Sequence, residues 1–115
     1  MISTAYIQED LEKLGITPDY SGYKQCLRSV ELAVEDEDRL LNVSKRLYPE
    51  VAESLDCKTG RIERNIRTII FHAWKIAPRY LNEIARFPLD VPPSVTEFLS
   101  ILTTHTLRQL KKKQS

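Results

Sequence analysis

The side chains best suited to chemistry in this 115-residue chain are basic ones gathered in one short segment, residues 58–75. If the segment is helical, with about 100° between successive residues, one side of it is cationic. That side holds Arg61, Arg64, Arg67, Thr68 and Lys75, and next to it lie Lys58, Thr59, Gly60 and Glu63. The whole chain has a formal net charge of only +1, so its composition does not explain this concentration.

These residue types can read double-stranded DNA. An arginine fork can bond both acceptors of guanine in the major groove, and a glutamate can accept from the amino group of cytosine or orient a neighbouring arginine. Other basic side chains can hold phosphates. Because the first turns of a recognition helix reach the bases, the candidates for base contacts are Arg61, Glu63, Arg64 and Arg67. Gly60 has no side chain to keep the backbone out of the groove.

A second interpretation of the cationic side is an ordinary solvated helix surface. Glu63 and Arg67 are four residues apart, a spacing at which they can simply pair along a helix. Helix-turn-helix matches based on spacing also carry many false positives. The charge pattern by itself therefore leaves both interpretations open.

The layout around this segment is typical of a helix-turn-helix, with a short helix over 49–55, a turn over 56–58 and a long helix over 59–76. The long helix would bury one apolar side, made of Ile62, Ile66, Ile69, Ile70 and Ala73.

Single positions fit this layout. Asp56 occupies the turn position usually held by glycine, and aspartate tolerates a left-handed backbone better than most residues. Ala52 lies where the two helices must come close. Asn65 departs from the pattern, since an apolar residue is common there, and we expect Ile66 to do the packing instead.

Helical periodicity extends over the rest of the chain, and no pair of alternating runs flanks a hairpin turn. We expect an all-α fold, a compact bundle of about six helices in one domain over 1–115, ordered from about 4 to 110, with a basic tail over 111–115. The other predicted helices are 4–14, 20–35, 39–48, 80–87 and a last one capped by Ser94 or Thr96.

Several classes of protein are not expected. His72 and His105 are isolated in the sequence, without a nucleophile or carboxylate at a catalytic spacing, so we expect no enzyme. Cys26 has the setting of a core residue, and no His/Cys cluster accompanies it or Cys57, so neither a disulfide nor a metal is expected, and no cofactor. Without a signal peptide or a long apolar run, we expect a cytoplasmic protein with no membrane partner.

The order of the segments resembles the C-terminal effector domain of the sporulation master response regulator family of endospore-forming bacteria. The resemblance spans roughly Leu11 to Leu110. Its most specific part is Arg61-Ile62-Glu63-Arg64-Asn65-Ile66-Arg67 followed by Ala73-Trp74, and it is supported by Leu11–Ile16, Gly22-Tyr23, Leu47-Tyr48-Pro49, Val51-Ala52 and Pro93–Phe98.

The resemblance implies a helix-turn-helix that inserts its second helix into the major groove of short promoter sites. It implies base contacts from Glu63, Arg64 and Arg67, with Arg61 close by. The family binds double-stranded DNA as paired domains, a homodimer on tandem half-sites, and can contact the sigma subunit of RNA polymerase.

Some features depart from the family. Gly60 replaces a small polar residue, and Thr68 and Phe71 lie on the exposed side where more polar residues are expected. The residues before Leu11 are too few for a receiver domain. We therefore expect either a stand-alone transcriptional regulator or a piece of a longer one. The alternative is a receiver-less interaction module that pairs with a full-length relative and modulates it.

Overall fold

The computed structural model describes the backbone of residues 2–114 and the side chains of residues 3–113, all of it helices and connecting segments without a strand. The helices are α1 (Ile2–Lys13), α2 (Tyr23–Glu35), a 3-10 helix (Glu37–Leu41), α3 (Val43–Arg46), α4 (Tyr48–Leu55), α5 (Thr59–Ile76), α6 (Pro78–Ala85) and α7 (Val95–Gln114). Six of these α-helices have eight or more residues. The predicted all-α class and approximate helix count are confirmed.

The core forms where α2, α5 and α7 meet. The helix α2 packs on α1, α4, α5 and α7, and α7 also packs on α1, α5 and α6. Fully buried side chains from all three central helices fill this space, including Cys26, Ile66 and Phe98. The radius of gyration of 13.1 Å is the value expected for one compact body of this length.

The helix ends follow local sequence signals. After α1, Gly15 has a left-handed backbone with φ of +83°, as expected for a residue that follows a helix. At the start of α7, the Ser94 hydroxyl accepts from the backbone N–H of Glu97 at 3.1 Å, and the Glu97 carboxylate accepts from the N–H of Ser94 at 3.0 Å. This reciprocal cap selects Ser94 over Thr96 as the capping residue.

The prediction of one helix over 39–48 is wrong. The chain forms the 3-10 helix and the four-residue α3 instead, separated by Asn42. Asn42 has a non-helical backbone, with φ of −154° and ψ of 80°, and its side chain accepts from the N–H of Lys45. An asparagine that bonds nearby backbone in this way starts a new helix rather than continuing an old one.

Other boundaries also differ from the prediction. The helix α6 spans Pro78–Ala85 rather than 80–87, because proline suits the first turn of a helix. The helix α2 begins at Tyr23 rather than Tyr20, because a turn over 17–20 and a further bond from the N–H of Tyr23 to the Tyr20 carbonyl come first. The helix α7 continues through Lys111–Lys113 to Gln114, so these basic residues belong to a helix, and lysines suit its carboxyl end. Ser115 lies outside the described residues. Within residues 2–114, no helix has both the length and the hydrophobicity needed to cross a bilayer.

Candidate nucleic-acid interface

Three residues join α4 to α5, and the sharp turn depends on Asp56. Its backbone is left-handed, with φ of 51° and ψ of 54°, as the sequence predicted. The N–H groups of Asp56 and Cys57 both bond to the carbonyl of Ala52, which closes the end of α4. The chain then enters α5 directly at Thr59.

The buried side of α5 is the predicted one. Its buried residues are Ile62, Ile66, Ile69, Ile70 and Ala73. Ile62 and Ile66 are fully buried, and α5 packs through this side on α2, α4, α6 and α7. The helix is therefore held along its whole length, and its opposite side is fixed in direction.

Asn65 interrupts the apolar pattern because it makes a polar contact with α2. Its amide donates to the side-chain oxygen of Gln25 at 2.8 Å. The Gln25 amide in turn donates to the sulfur of Cys57 at 3.7 Å, in the turn before α5. Gln25 is buried, so this chain of contacts satisfies a buried amide and ties α2 to both the turn and α5.

Gly22 permits the close approach of α2 and α5. A Cβ atom added at Gly22 would lie 2.9 Å from both the Cβ and the carbonyl oxygen of Asn65, closer than such atoms come in real structures. The absence of a side chain at this position thus sets the spacing between the two helices.

Gly22→Ala is expected to reduce the free energy of unfolding by about 1–3 kcal/mol, because the backbone of α5 must move away from α2. Chemical denaturation would measure the change. The control is Ser21→Ala at the exposed neighbouring position, expected to change stability by less than about 0.5 kcal/mol. Equal stability of the two variants would show that α2 and α5 can accept the added methyl group without moving apart.

The outer side of α5 carries the predicted site residues. All nine of them are exposed: Lys58, Thr59, Gly60, Arg61, Glu63, Arg64, Arg67, Thr68 and Lys75. Five of them, Lys58, Thr59, Gly60, Arg61 and Arg64, line one open depression at the amino end of the helix. Among the contacts within residues 2–114, neither Arg61 nor Arg64 has an ion-pair partner.

Thr68 and Lys75, two other predicted residues, lie outside this depression. The hydroxyl of Thr68 donates to the backbone carbonyl of Arg64 at 3.2 Å, so it is already engaged within the helix. Lys75 is exposed but lies 14 residues after Arg61, about 21 Å further along the axis at 1.5 Å per residue. Its ammonium group therefore does not share the depression with the arginines.

Glu63 links α5 to α4. One carboxylate oxygen accepts from the hydroxyl of Tyr48 at 3.3 Å, and the other lies 3.5 Å from a guanidinium nitrogen of Arg67. Burial, followed by the nearby carboxylate of Glu63, raises the pKa of Tyr48 well above its usual value. The hydroxyl thus stays protonated and acts as a donor. The spacing in the sequence allowed the Glu63–Arg67 pairing, but nothing in it indicated the contribution of Tyr48.

His105 is not isolated, contrary to the expectation from the sequence. Its Nδ1 lies 2.6 Å from the buried carboxylate of Asp10, and its Nε2 lies 3.0 Å from the amide nitrogen of Gln109. Tyr80 donates to the other oxygen of Asp10. Ninety-five residues separate Asp10 from His105, so the fold alone brings them together. The cluster fastens α1 to α6 and α7, and both imidazole nitrogens are engaged within it.

The remaining candidates for chemistry are also accounted for by packing. His72 is half-buried and bonds to the hydroxyl of Tyr20. Both cysteines are free, and burial raises the pKa of the Cys26 thiol to about 12, which keeps it protonated. In the described part of the chain, no three His, Cys, Asp or Glu side chains come together as metal ligands would.

Comparison with known families agrees with this arrangement. A family model described as "Sporulation initiation factor Spo0A C terminal" matches residues 7–106. The match includes α2, α4, the turn, α5 and α6 in full, so it covers both the core and the cationic side of α5. The chain therefore belongs to the family of Spo0A C-terminal domains, which are DNA-binding domains of a transcription regulator.

Proposed function

We propose that this domain recognises specific sites in double-stranded DNA by placing the amino-terminal half of α5 in the major groove, as a helix-turn-helix regulator. The observation that carries the proposal is the state of Arg61 and Arg64. Both are exposed on the first two turns of a helix whose other side is buried, and neither is paired within residues 2–114. Unpaired guanidinium groups on a rigid helix are suited to bidentate contacts with guanine.

Charge distribution supports the same orientation. The outer side of α5 and the turn before it carry five basic side chains and two acidic ones, Asp56 and Glu63, whereas the whole chain has a net charge of +1. A local excess of this kind attracts the phosphate backbone without making the whole protein basic. We assign Lys58 and Lys75 to phosphates, and Arg61, Glu63, Arg64 and Arg67 to bases or their immediate surroundings. Thr59 and Thr68 lie at the edges of this surface.

Gly60 offers a test that separates DNA binding from folding. A Cβ added at Gly60 would meet nothing within 4 Å, so alanine fits the folded domain. Gly60→Ala is expected to leave the free energy of unfolding unchanged or to raise it by up to about 1 kcal/mol, because alanine favours helix. DNA affinity is expected to fall, because the methyl group holds the backbone away from the groove.

Thermal unfolding and titration with a duplex would measure the two effects of Gly60→Ala. Opposite changes in stability and affinity would support a close approach of the backbone to DNA. An unchanged affinity would mean that Gly60 is only the second residue of a helix and contributes nothing to recognition.

The first experiment on the proposed function is selection of bound duplexes from a random pool by the purified domain. The selected duplex is then titrated at two salt concentrations. We expect enrichment of a short motif containing G·C pairs, with an affinity that falls steeply as salt rises. Absence of enrichment, with only weak salt-sensitive binding, would contradict specific recognition. It would favour instead the module that pairs with a full-length relative.

Two partners beyond DNA follow from the family resemblance, and we propose them on that basis. A second copy would bind the adjacent tandem half-site, and the sigma subunit of RNA polymerase would contact the bound domain. Titration of duplexes that carry one or two half-sites tests the first partner, since pairing predicts tighter binding of the second copy. Because duplex DNA is the ligand, the proposed place of action is the cytoplasm.

A further inference from the structure

The contact between Tyr48 and Glu63 joins the helix before the turn to the cationic side of α5. Tyr48 is the first residue of α4 and is 5% exposed, so its ring is fixed by packing. Glu63 lies on α5 with about half of its side chain exposed. The hydroxyl–carboxylate contact at 3.3 Å is thus a bridge from a rigid, buried group to a side chain that would otherwise change rotamer freely.

Both oxygens of the Glu63 carboxylate are used, and they face different partners. One faces Tyr48 of α4, and the other faces Arg67 one turn further along α5. The position of the carboxylate therefore influences the direction of the Arg67 guanidinium. Arg61 and Arg64 have no comparable restraint among the described residues, so they serve as an internal reference on the same helix.

We propose that Tyr48 is a positioning residue for base recognition: its hydroxyl holds Glu63, and through Glu63 it holds Arg67, in the orientation that reads the bases. This proposal rests on the proposed function. It goes further because it assigns part of the sequence preference to a buried residue of the preceding helix, which presents its hydroxyl to Glu63 and not to DNA. A carboxylate restrained before binding loses less conformational freedom when it meets a base.

The test is the base preference of Tyr48→Phe. This variant keeps the ring and removes only the hydroxyl. Positions read by Glu63 and Arg67 are first identified in the wild-type domain, as those at which Glu63→Ala or Arg67→Ala loses preference. At those positions Tyr48→Phe is expected to reduce discrimination between the preferred base pair and the others by about 2- to 10-fold, the equivalent of one net hydrogen bond. Positions lost in Arg64→Ala are expected to keep their preference.

The matched control is Tyr80→Phe. The Tyr80 hydroxyl also donates to a carboxylate, that of Asp10, but the contact joins α1 to α6 and does not involve α5. Tyr80→Phe is expected to lower stability without changing base preference at any position. A change in preference of equal size in both variants would mean that loss of stability, not loss of positioning, produces the effect.

A double-variant comparison makes the proposal specific to the bridge. In a Glu63→Ala background, Tyr48→Phe is expected to change base preference no further, because the group it positions is gone. A wild-type preference at the Glu63 and Arg67 positions that survives Tyr48→Phe intact would overturn the positioning role alone. A further change in base preference on adding Tyr48→Phe to Glu63→Ala would overturn the positioning role as well. A wild-type domain with no base preference would overturn the proposed function as well.

Discussion

Arg64→Ala is expected to abolish discrimination at one base pair of the binding site, at a cost of about 1–3 kcal/mol in affinity for the preferred duplex. Arg64 is exposed on the second turn of α5 and has no ion-pair partner within the described chain. Its guanidinium is therefore free to make a bidentate contact, which no alanine can replace. The measurement is titration of the variant against the preferred duplex and against duplexes with single base-pair changes.

The control for Arg64→Ala is Lys75→Ala. Lys75 lies about 21 Å along the axis from Arg61 and is assigned to a phosphate. Its removal is expected to weaken binding to all duplexes about equally and to reduce the salt dependence by about one unit of slope. If Arg64→Ala bound every duplex as the wild type does, the assignment of α5 to the major groove would be wrong. The wild-type selection serves as the reference for both variants.

Ile66→Ala is expected to reduce the free energy of unfolding by about 2–5 kcal/mol. Ile66 is fully buried in the middle of α5, so truncation leaves a cavity beneath the cationic side of this helix. A loss of this size is a large part of the stability of a small domain. Denaturant unfolding followed by far-ultraviolet circular dichroism would measure it, because the described chain is mostly helical.

The matched control for Ile66→Ala is Phe71→Ala on the same helix. Phe71 is 57% exposed, and its truncation is expected to change stability by less than about 0.5 kcal/mol. The sequence also predicts Phe71 on the exposed side of α5. Equal losses in the two variants would contradict the assignment of the buried and exposed sides of α5.

The ion pair between Glu63 and Arg67 does not compete strongly with DNA. About half of each side chain is exposed, and pairs of this kind contribute about 0–1 kcal/mol. A guanine can therefore bond the other N–H groups of the Arg67 guanidinium while Glu63 stays beside it, and loss of the pair would cost little. The two interpretations of the cationic side are thus compatible, since the same residues pair in the free domain and remain available to DNA.

Much of the fold was predictable because helical periodicity is a local property. The five buried residues of α5 follow from the recurrence of apolar residues at helical spacing, and its bounds follow from the short connector before it and from Pro78 after it. The left-handed backbone of Asp56 follows from the known preference of turn positions. The segment over 37–46 was not predictable as one helix or two, since the choice depends on whether the Asn42 side chain bonds to its own backbone.

The sequence by itself determined which residues are basic, which side of α5 is apolar, and hence which side must face outwards. These are consequences of residue type and of the angle between successive residues in a helix. Only the tertiary structure decided which distant residues support that surface. Gly22 and Gln25 reach Asn65 across 40 positions or more, Tyr48 reaches Glu63 from another helix, and Asp10 reaches His105. Contacts between helices depend on how their buried sides pack together. The periodicity of one segment shows which side of that helix is buried but not which residues of another helix lie against it.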